Sequence, residues 1–194
     1  MPREEPTGFD YTVRIAAPPA RILGAFFDPH ALSVWWGVSR AIANPTVLGA
    51  YALEWPRSET VDALLGPLGG TLHGTVIDYK AGRAFFVAEA YWVPPRNAPV
   101  GPMSLEVTCT TRGPFQGAVD AIAARLPGRT AVTRQTDKDG SPDITSLRLV
   151  QRGYEESERW RRYYALLGAS LPVALEKLKE YLEHGRGAWD LREW

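Results

Sequence analysis

The fold of this chain is decided by the stretch EESERWRRYYALLGASLPVALEKLKEYLEH at residues 155–184. Its apolar residues recur every three or four positions, the spacing that keeps side chains on one face of a helix. They are Trp160, Tyr164, Leu167, Leu171, Leu175, Leu178 and Leu182. A helix of about 28 residues is about 40 Å long at 1.5 Å per residue. An apolar stripe of that length needs a broad apolar partner, which the upstream strands can supply.

Pro172 interrupts this helical pattern. Proline lacks a backbone N–H, and its ring clashes with the carbonyl group four residues earlier. We therefore expect a kink or a break between Gly168 and Pro172, with Ser170 suited to cap a second helical segment.

Most of the upstream chain alternates between apolar and polar residues, as half-buried strands do. The predicted strands cover residues 9–15, 41–43, 51–55, 71–80, 84–93, 104–110 and 145–151. In the strand 84–93, Glu89 marks the polar side. We therefore expect the opposite set to face the interior, namely Phe86, Ala88, Ala90 and Trp92.

Two short helices are predicted after the first strand. The second begins at Asp28-Pro29, a favourable N-cap followed by a favourable first helical residue, and closes on Trp35-Trp36-Gly37. The resulting order of elements predicts an α+β protein in which a curved antiparallel sheet is wrapped around the long C-terminal helix. We expect one domain over residues 1–194, with an inserted helical segment at 113–142 before the last strand and a tail at 185–194 that carries Trp189 and Trp194.

The composition counts against several classes of partner. Lys plus Arg and Asp plus Glu both number 22, so the chain has no overall charge that would favour nucleic acid or an anionic membrane. The single cysteine allows no internal disulfide. No apolar run approaches the ~20 residues of a membrane span, and the N-terminus lacks the pattern of a signal peptide. We therefore expect a soluble, cytoplasmic protein.

Four stretches resemble the activator-of-heat-shock-ATPase-like (AHSA-type) family of the START/polyketide-cyclase/Bet v-like (SRPBCC) superfamily. They are FFDPHALSVWWG (26–37), GTVIDYKAGRAFF (74–86), TSLRLVQRGY (145–154) and LPVALEKLKEYLE (171–183). The resemblance implies a helix-grip fold with a deep cavity between the sheet and the long helix. It implies no single activity, because the superfamily includes binding proteins, transporters, cyclases and a co-chaperone domain. This chain departs from relatives at the 113–142 insertion, at Leu171 in place of tryptophan, and at Asp78 in place of glutamate.

Motifs for metal or cofactor chemistry are missing from the sequence. The three histidines, His30, His73 and His184, are far apart, and there is no HExxH, CxxC, GxSxG, Walker or dinucleotide-binding pattern. We therefore predict no metal and no cofactor. Cys109 lies on an apolar strand face, which favours a buried hydrophobe over a nucleophile.

Aromatic residues are the candidates for a ligand-binding wall. Trp35 and Trp36 are adjacent at a helix end, so we expect their rings to diverge, one into the core and the other to the cavity mouth. The other candidates are Tyr51, Trp55, Phe86, Trp92, Trp160 and Tyr164. Asp78 is the weak candidate for a catalytic residue. If its side chain shares the inner face of the strand with Val76, the carboxylate could act as an acid or base in an apolar site. The alternative is that Asp78 is a turn residue at the strand end that faces solvent.

Three functions follow from these residues. The first is the binding of an apolar small molecule in the cavity. The second is a cyclase- or hydrolase-like enzyme that uses Asp78 and a tyrosine such as Tyr164 or Tyr51. The third is a protein-interaction module similar to a co-chaperone domain. A homodimer formed through the insertion or the tail is the expected assembly if the chain self-associates.

Overall fold

A computed structural model describes residues 8–111, 144–153 and 157–184 of the chain. Within these ranges the strands are β1 (Gly8–Ile15), β2 (Arg40–Ala43), β3 (Ala50–Trp55), β4 (Val61–Asp62), β5 (Gly66–Pro67), β6 (Gly70–Lys80), β7 (Ala84–Val93), β8 (Val100–Thr111) and β9 (Thr145–Gly153). The helices are α1 (Pro19–Gly24), α2 (Pro29–Trp36) and α3 (Glu158–His184).

Seven strands form one antiparallel sheet in the order β1-β9-β8-β7-β6-β3-β2. The two remaining strands, β4 and β5, pair with each other in a small hairpin between β3 and β6. Helix α3 packs against β1 and α2, so its apolar face is covered by the sheet and by the second short helix. The predicted α+β helix-grip fold is confirmed.

The second short helix begins and ends as its sequence predicts. The Asp28 side chain accepts a 2.7 Å hydrogen bond from the Ala31 backbone N–H, which satisfies a donor at the helix start. Gly37 ends the helix with φ of 70°, a left-handed conformation that glycine adopts without a steric penalty. These two caps fix the position of Trp35 and Trp36 at the end of α2.

Helix α3 runs without interruption from Glu158 to His184, with Pro172 in its interior. A break between Gly168 and Pro172 is therefore wrong, and the alternative of a kink stays a prediction. Proline removes one hydrogen bond from the helix, but the apolar face that α3 buries continues on both sides of that point. At its C-terminal end, Glu183 Oε1 accepts a 2.7 Å hydrogen bond from the Ala16 backbone N–H and so ties the helix to the end of β1.

Two β-bulges in the β6–β7 pair change which side chains face the interior. The β6–β7 register shifts between Val76 and Asp78 and between His73 and Thr75. The β7–β8 register also shifts between Val87 and Ala90, where Glu89 has φ of 48°. A bulge adds one residue to a strand, so side chains beyond it exchange faces. The inward residues of β7 are Phe85, Val87, Ala90 and Trp92. The prediction that Phe86 and Ala88 face inward is wrong, whereas that for Ala90 and Trp92 is confirmed.

Several predictions fall on other parts of the chain. The helical insertion at 113–142 and the tail at 185–194, with Trp189 and Trp194, lie outside the described residues. The assignment of residues 1–194 to one domain stays a prediction.

Candidate functional site

The central cavity lies between the inner face of the sheet, α2 and α3, and has a volume of about 520 Å³. Its wall is mostly aromatic and aliphatic. The lining residues are Trp35, Trp36, Gly37, Trp55, Pro56, Leu68, Gly69, Leu72, Trp92, Leu105, Leu149, Gln151, Tyr163, Leu166, Leu167, Ser170, Leu171, Val173, Ala174 and Lys177. Helix α3 contributes its residues at the spacing of one helix face, and the sheet contributes the inward positions of β6–β9.

Four of the five tryptophans among the described residues line this cavity. In three of them the indole N–H donates to a backbone carbonyl oxygen, so the ring is held in place and presents carbon atoms to the cavity. The bonds run from Trp35 Nε1 to Ala25 O (3.0 Å), from Trp55 Nε1 to Trp36 O (2.9 Å) and from Trp92 Nε1 to Gly69 O (2.9 Å).

Trp36 is half-buried, as Trp55 is, and it completes the wall at the end of α2. Its ring stacks on that of Trp35, with centroids 4.8 Å apart and planes 17° from parallel, and it meets Trp55 edge to face at 5.2 Å. The expectation that the two adjacent rings diverge is wrong, because both line the cavity as a stacked pair. Trp35 is nevertheless buried in the core, with only 1% of its surface exposed.

Gln151 and Tyr163 bring polar groups to this apolar wall. Both are buried, and the Tyr163 hydroxyl donates a 3.0 Å hydrogen bond to Gln151 Oε1. The same hydroxyl lies 3.6 Å from Met103 Sδ. Burial raises the pKa of Tyr163 well above its usual value, so the hydroxyl keeps its proton and remains a donor.

Five of the predicted binding residues lie outside the cavity, namely Tyr51, Trp160, Tyr164, Asp78 and Phe86. Tyr51 is fully buried in an aromatic cluster, 5.6 Å from Phe27 between ring centroids, and desolvation raises the pKa of its hydroxyl. Trp160 and Tyr164 pack against each other at 5.7 Å beyond the wall. The part of α3 that lines the cavity runs from Tyr163 to Lys177, so Trp160 lies one turn before it.

Asp78 and Phe86 lie on the outer face of the sheet, where they are cross-strand partners. The bulge at Ile77 places Asp78 on the opposite side from the buried Val76, so the expectation that the two share the inner face is wrong. The Asp78 side chain is 49% exposed, and its Oδ2 lies 2.8 Å from Lys80 Nζ. Among the described residues, no carboxylate lines the central cavity.

Gln151 and Tyr163 are the wall residues that the sequence interpretation missed. A signal for Gln151 was present, since alternation along β9 places it on the same face as Leu147 and Leu149. For Tyr163 the signal was ambiguous, because Tyr163 and Tyr164 both lie close to the apolar stripe of α3 and only the packed structure distinguishes them.

The remaining candidates for chemistry are the cysteine and the possible metal ligands. Cys109 is buried on β8, and burial raises the pKa of its thiol to about 12, as expected for a small hydrophobe. Over residues 8–111, 144–153 and 157–184, no three His, Cys, Asp or Glu side chains are grouped as metal ligands would be. In the same ranges no helix is both long and apolar enough to cross a membrane.

These elements define a helix-grip fold of the START/SRPBCC type, and solved structures share it. Protein MLL2253 from Mesorhizobium loti is 17% identical, with a TM-score of 0.55 over 90% of this chain and 96% of that one. A protein from Arthrobacter aurescens is 16% identical, with a TM-score of 0.56 over 97% and 92%. The Aha1 dimer from Colwellia psychrerythraea is 14% identical, with a TM-score of 0.52 over 93% and 98%.

The resemblance to the AHSA-type proteins is therefore confirmed at the level of the fold. No protein-family model matches the sequence, and no curated protein matches it either. At sequence identities of 14–17%, the similarity to these solved structures establishes the fold alone. The function therefore has to be argued from the cavity.

Proposed function

We propose that this protein binds an apolar small molecule in the central cavity. The observation that carries the proposal is the cavity itself, about 520 Å³ in volume and walled by four tryptophans and several leucines. Sites for small organic ligands usually measure about 300–1,000 Å³ and are mostly apolar with a few placed polar groups. The Gln151–Tyr163 pair provides such groups here.

The wall supports binding of ring-containing or branched skeletons. Because the N–H groups of Trp35, Trp55 and Trp92 donate to backbone carbonyls, these rings are positioned before any ligand arrives. A preformed wall lowers the entropic cost of ordering side chains during binding. Flat aromatic faces also favour stacking and edge contacts with a ligand ring.

The catalytic alternative has less support. The titratable side chains on the described wall are Tyr163 and Lys177. Tyr163 retains its proton at neutral pH because burial raises its pKa. Acid–base catalysis needs a group that exchanges a proton near the working pH, and Asp78 is too far around the sheet to serve the cavity. The interaction-module alternative rests on fold likeness, which is a weak argument for function.

Binding is tested with the uncharged fluorescent probe N-phenyl-1-naphthylamine, followed by energy transfer from tryptophan. We expect saturable binding at one site with Kd on the order of micromolar. Ala174→Phe places a phenyl group in the cavity and should weaken binding at least about tenfold. Ala169→Phe is the matched control, since Ala169 is exposed on the same helix and does not line the cavity.

Circular dichroism establishes that both variants fold. Absence of saturable binding to the wild-type protein would refute the proposal. Equal affinities of folded Ala174→Phe and Ala169→Phe proteins would show that the probe binds elsewhere, which also refutes it.

Self-association through the 113–142 insertion or the tail stays a separate prediction. Its support is that one solved structure of this fold is described as an Aha1 dimer. Light scattering of the full chain measures the subunit number, and a monomer at high concentration would contradict it.

A further inference from the structure

Gln151 is a buried polar side chain of the cavity wall whose amide N–H groups have no partner among the described residues; the Tyr51 hydroxyl, which is also buried without a partner, lies outside the cavity. The other buried polar residues are Thr145 and Asp62. Thr145 Oγ1 donates to Ala17 O at 2.6 Å, and Asp62 accepts from two backbone N–H groups and from Arg162. By contrast, the only side-chain hydrogen bond of Gln151 within the described residues is the one that its oxygen accepts.

The Tyr163 hydroxyl determines how the Gln151 carboxamide is oriented. A phenol has one proton, and here it is 3.0 Å from Gln151 Oε1. Because burial raises the pKa of Tyr163, this donor persists across the physiological pH range. The carboxamide oxygen is therefore engaged, and the two amide N–H bonds are the free hydrogen-bonding capacity of this side chain.

The amide N–H groups of Gln151 belong to a residue of the cavity wall. Gln151 lines the cavity together with Leu149 and Leu105, and only 4% of its surface is exposed. Because the amide N–H groups have no partner among the described residues, a ligand in the cavity that supplies an acceptor is favoured over one that does not. The surrounding wall is apolar, which restricts the rest of the ligand to carbon-rich groups.

We propose that the Gln151 amide donates a hydrogen bond to a carbonyl oxygen of the bound molecule, with Tyr163 as the positioning residue. The ligand class is an apolar molecule that carries one ketone, aldehyde or ester carbonyl group. This inference rests on the proposed binding function, and it adds the chemical group that the site recognises.

The test uses two probes that differ only at the relevant atom. Benzophenone carries a carbonyl oxygen, and 1,1-diphenylethylene has a CH₂ group in its place with nearly the same shape. Their affinities are measured by displacement of N-phenyl-1-naphthylamine. For the wild-type protein we expect benzophenone to bind roughly tenfold more tightly, the effect of one neutral hydrogen bond.

Gln151→Met removes the amide and keeps a side chain of similar length. We expect this variant to bind both probes with similar affinity. Tyr163→Phe leaves the amide in place and removes the bond that orients it, so the ratio of the affinities for benzophenone and diphenylethylene should fall.

The outcomes separate this inference from the proposed function. If the wild-type protein does not bind N-phenyl-1-naphthylamine, both proposals are wrong. If the dye binds but the two probes have equal affinity, or if folded Gln151→Met protein keeps the full preference, only the role of Gln151 is wrong. If the Tyr163→Phe protein keeps the full preference for benzophenone over diphenylethylene, the positioning role of Tyr163 is wrong.

Discussion

Arg162 Nε lies 2.6 Å from Asp62 Oδ2, and this ion pair joins helix α3 to the β4–β5 hairpin across 100 residues of sequence. The Asp62 side chain is 5% exposed, and the same carboxylate accepts hydrogen bonds from the backbone N–H groups of Leu64 and Leu65. The hairpin leads into Leu68 and Gly69 of the cavity wall. The pair therefore holds one side of the cavity against the helix that forms the other.

The first prediction concerns the pH dependence of this pair. The Arg162 guanidinium, followed by the backbone N–H of Leu64, lowers the pKa of Asp62 below 3.8. A lowered pKa in the folded state means that the ionised carboxylate stabilises the protein at pH values above 3.8, and that this stability is lost as the pH falls through the folded-state pKa. Asp62→Asn should therefore lower Tm at pH 7 and have a much smaller effect at acidic pH.

The measurement is thermal unfolding of wild-type and Asp62→Asn proteins between pH 7 and pH 2.5. Glu176→Gln is the control, because it removes an exposed carboxylate from the same helix. A Tm difference between wild-type and Asp62→Asn proteins that stays constant over the whole pH range would contradict the assigned role of the ion pair.

The second prediction is that Gly168→Ala stabilises the protein. Gly168 lies within α3, and a Cβ atom added there would meet no neighbour within 4 Å. Alanine should raise the free energy of unfolding by about 0.5–1 kcal/mol, because glycine loses more backbone entropy when the helix forms. Denaturant titration measures this difference.

Gly74→Ala is the contrasting substitution. Its Cβ would lie 2.7 Å from Val87 Cγ1 and 2.9 Å from the Ala88 carbonyl oxygen, beside the β7 bulge. We expect it to destabilise the protein by about 1–3 kcal/mol through overpacking. If both alanine variants changed stability in the same direction, the packing described at one of these glycines would be incorrect.

The third prediction concerns the reactivity of Cys109. Burial raises the pKa of its thiol from the usual 9.0 to about 12. At pH 8 the reactive thiolate fraction should therefore be about a thousandfold smaller than in the unfolded chain. Reaction with a disulfide reagent should be slow in the native protein and rapid in denaturant. Rapid modification of native protein at pH 8 would contradict the buried position.

The fourth prediction concerns the aromatic wall. Trp36→Ala removes a half-buried ring that stacks on Trp35 and meets Trp55, so it should weaken binding of N-phenyl-1-naphthylamine by about tenfold. Phe86→Ala removes a ring from the outer face of the sheet and should leave binding unchanged. Equal losses of affinity in the two variants would argue against the cavity as the binding site.

The sequence predicted the fold because its periodic signals are long and regular. Leu105, Val107, Cys109, Leu147 and Leu149 all alternate as expected, and each is buried on the inner face. The long amphipathic stretch likewise became α3. Such patterns tolerate local errors, because an element is specified by many residues at once.

The site was harder to predict because it depends on single side chains. A bulge at Ile77 and another at Glu89 reverse the faces of Asp78 and Phe86, and no glycine marks either position. Glu89 adopts φ of 48°, which non-glycine residues seldom do. The choice between Tyr163 and Tyr164 likewise depends on how far α3 is rotated against the sheet, which is set by packing.

The backbone-bonded indoles of Trp35, Trp55 and Trp92 have a thermodynamic consequence. Because their N–H groups already donate to backbone carbonyls, these rings offer no hydrogen bond to water in the central cavity. Water next to them is therefore poorly bound. Transfer of such solvent to bulk water releases heat. Binding of an apolar ligand in the central cavity should therefore be exothermic at 25 °C, with a negative heat-capacity change. The transfer of small apolar solutes out of water is, by contrast, driven by entropy at this temperature.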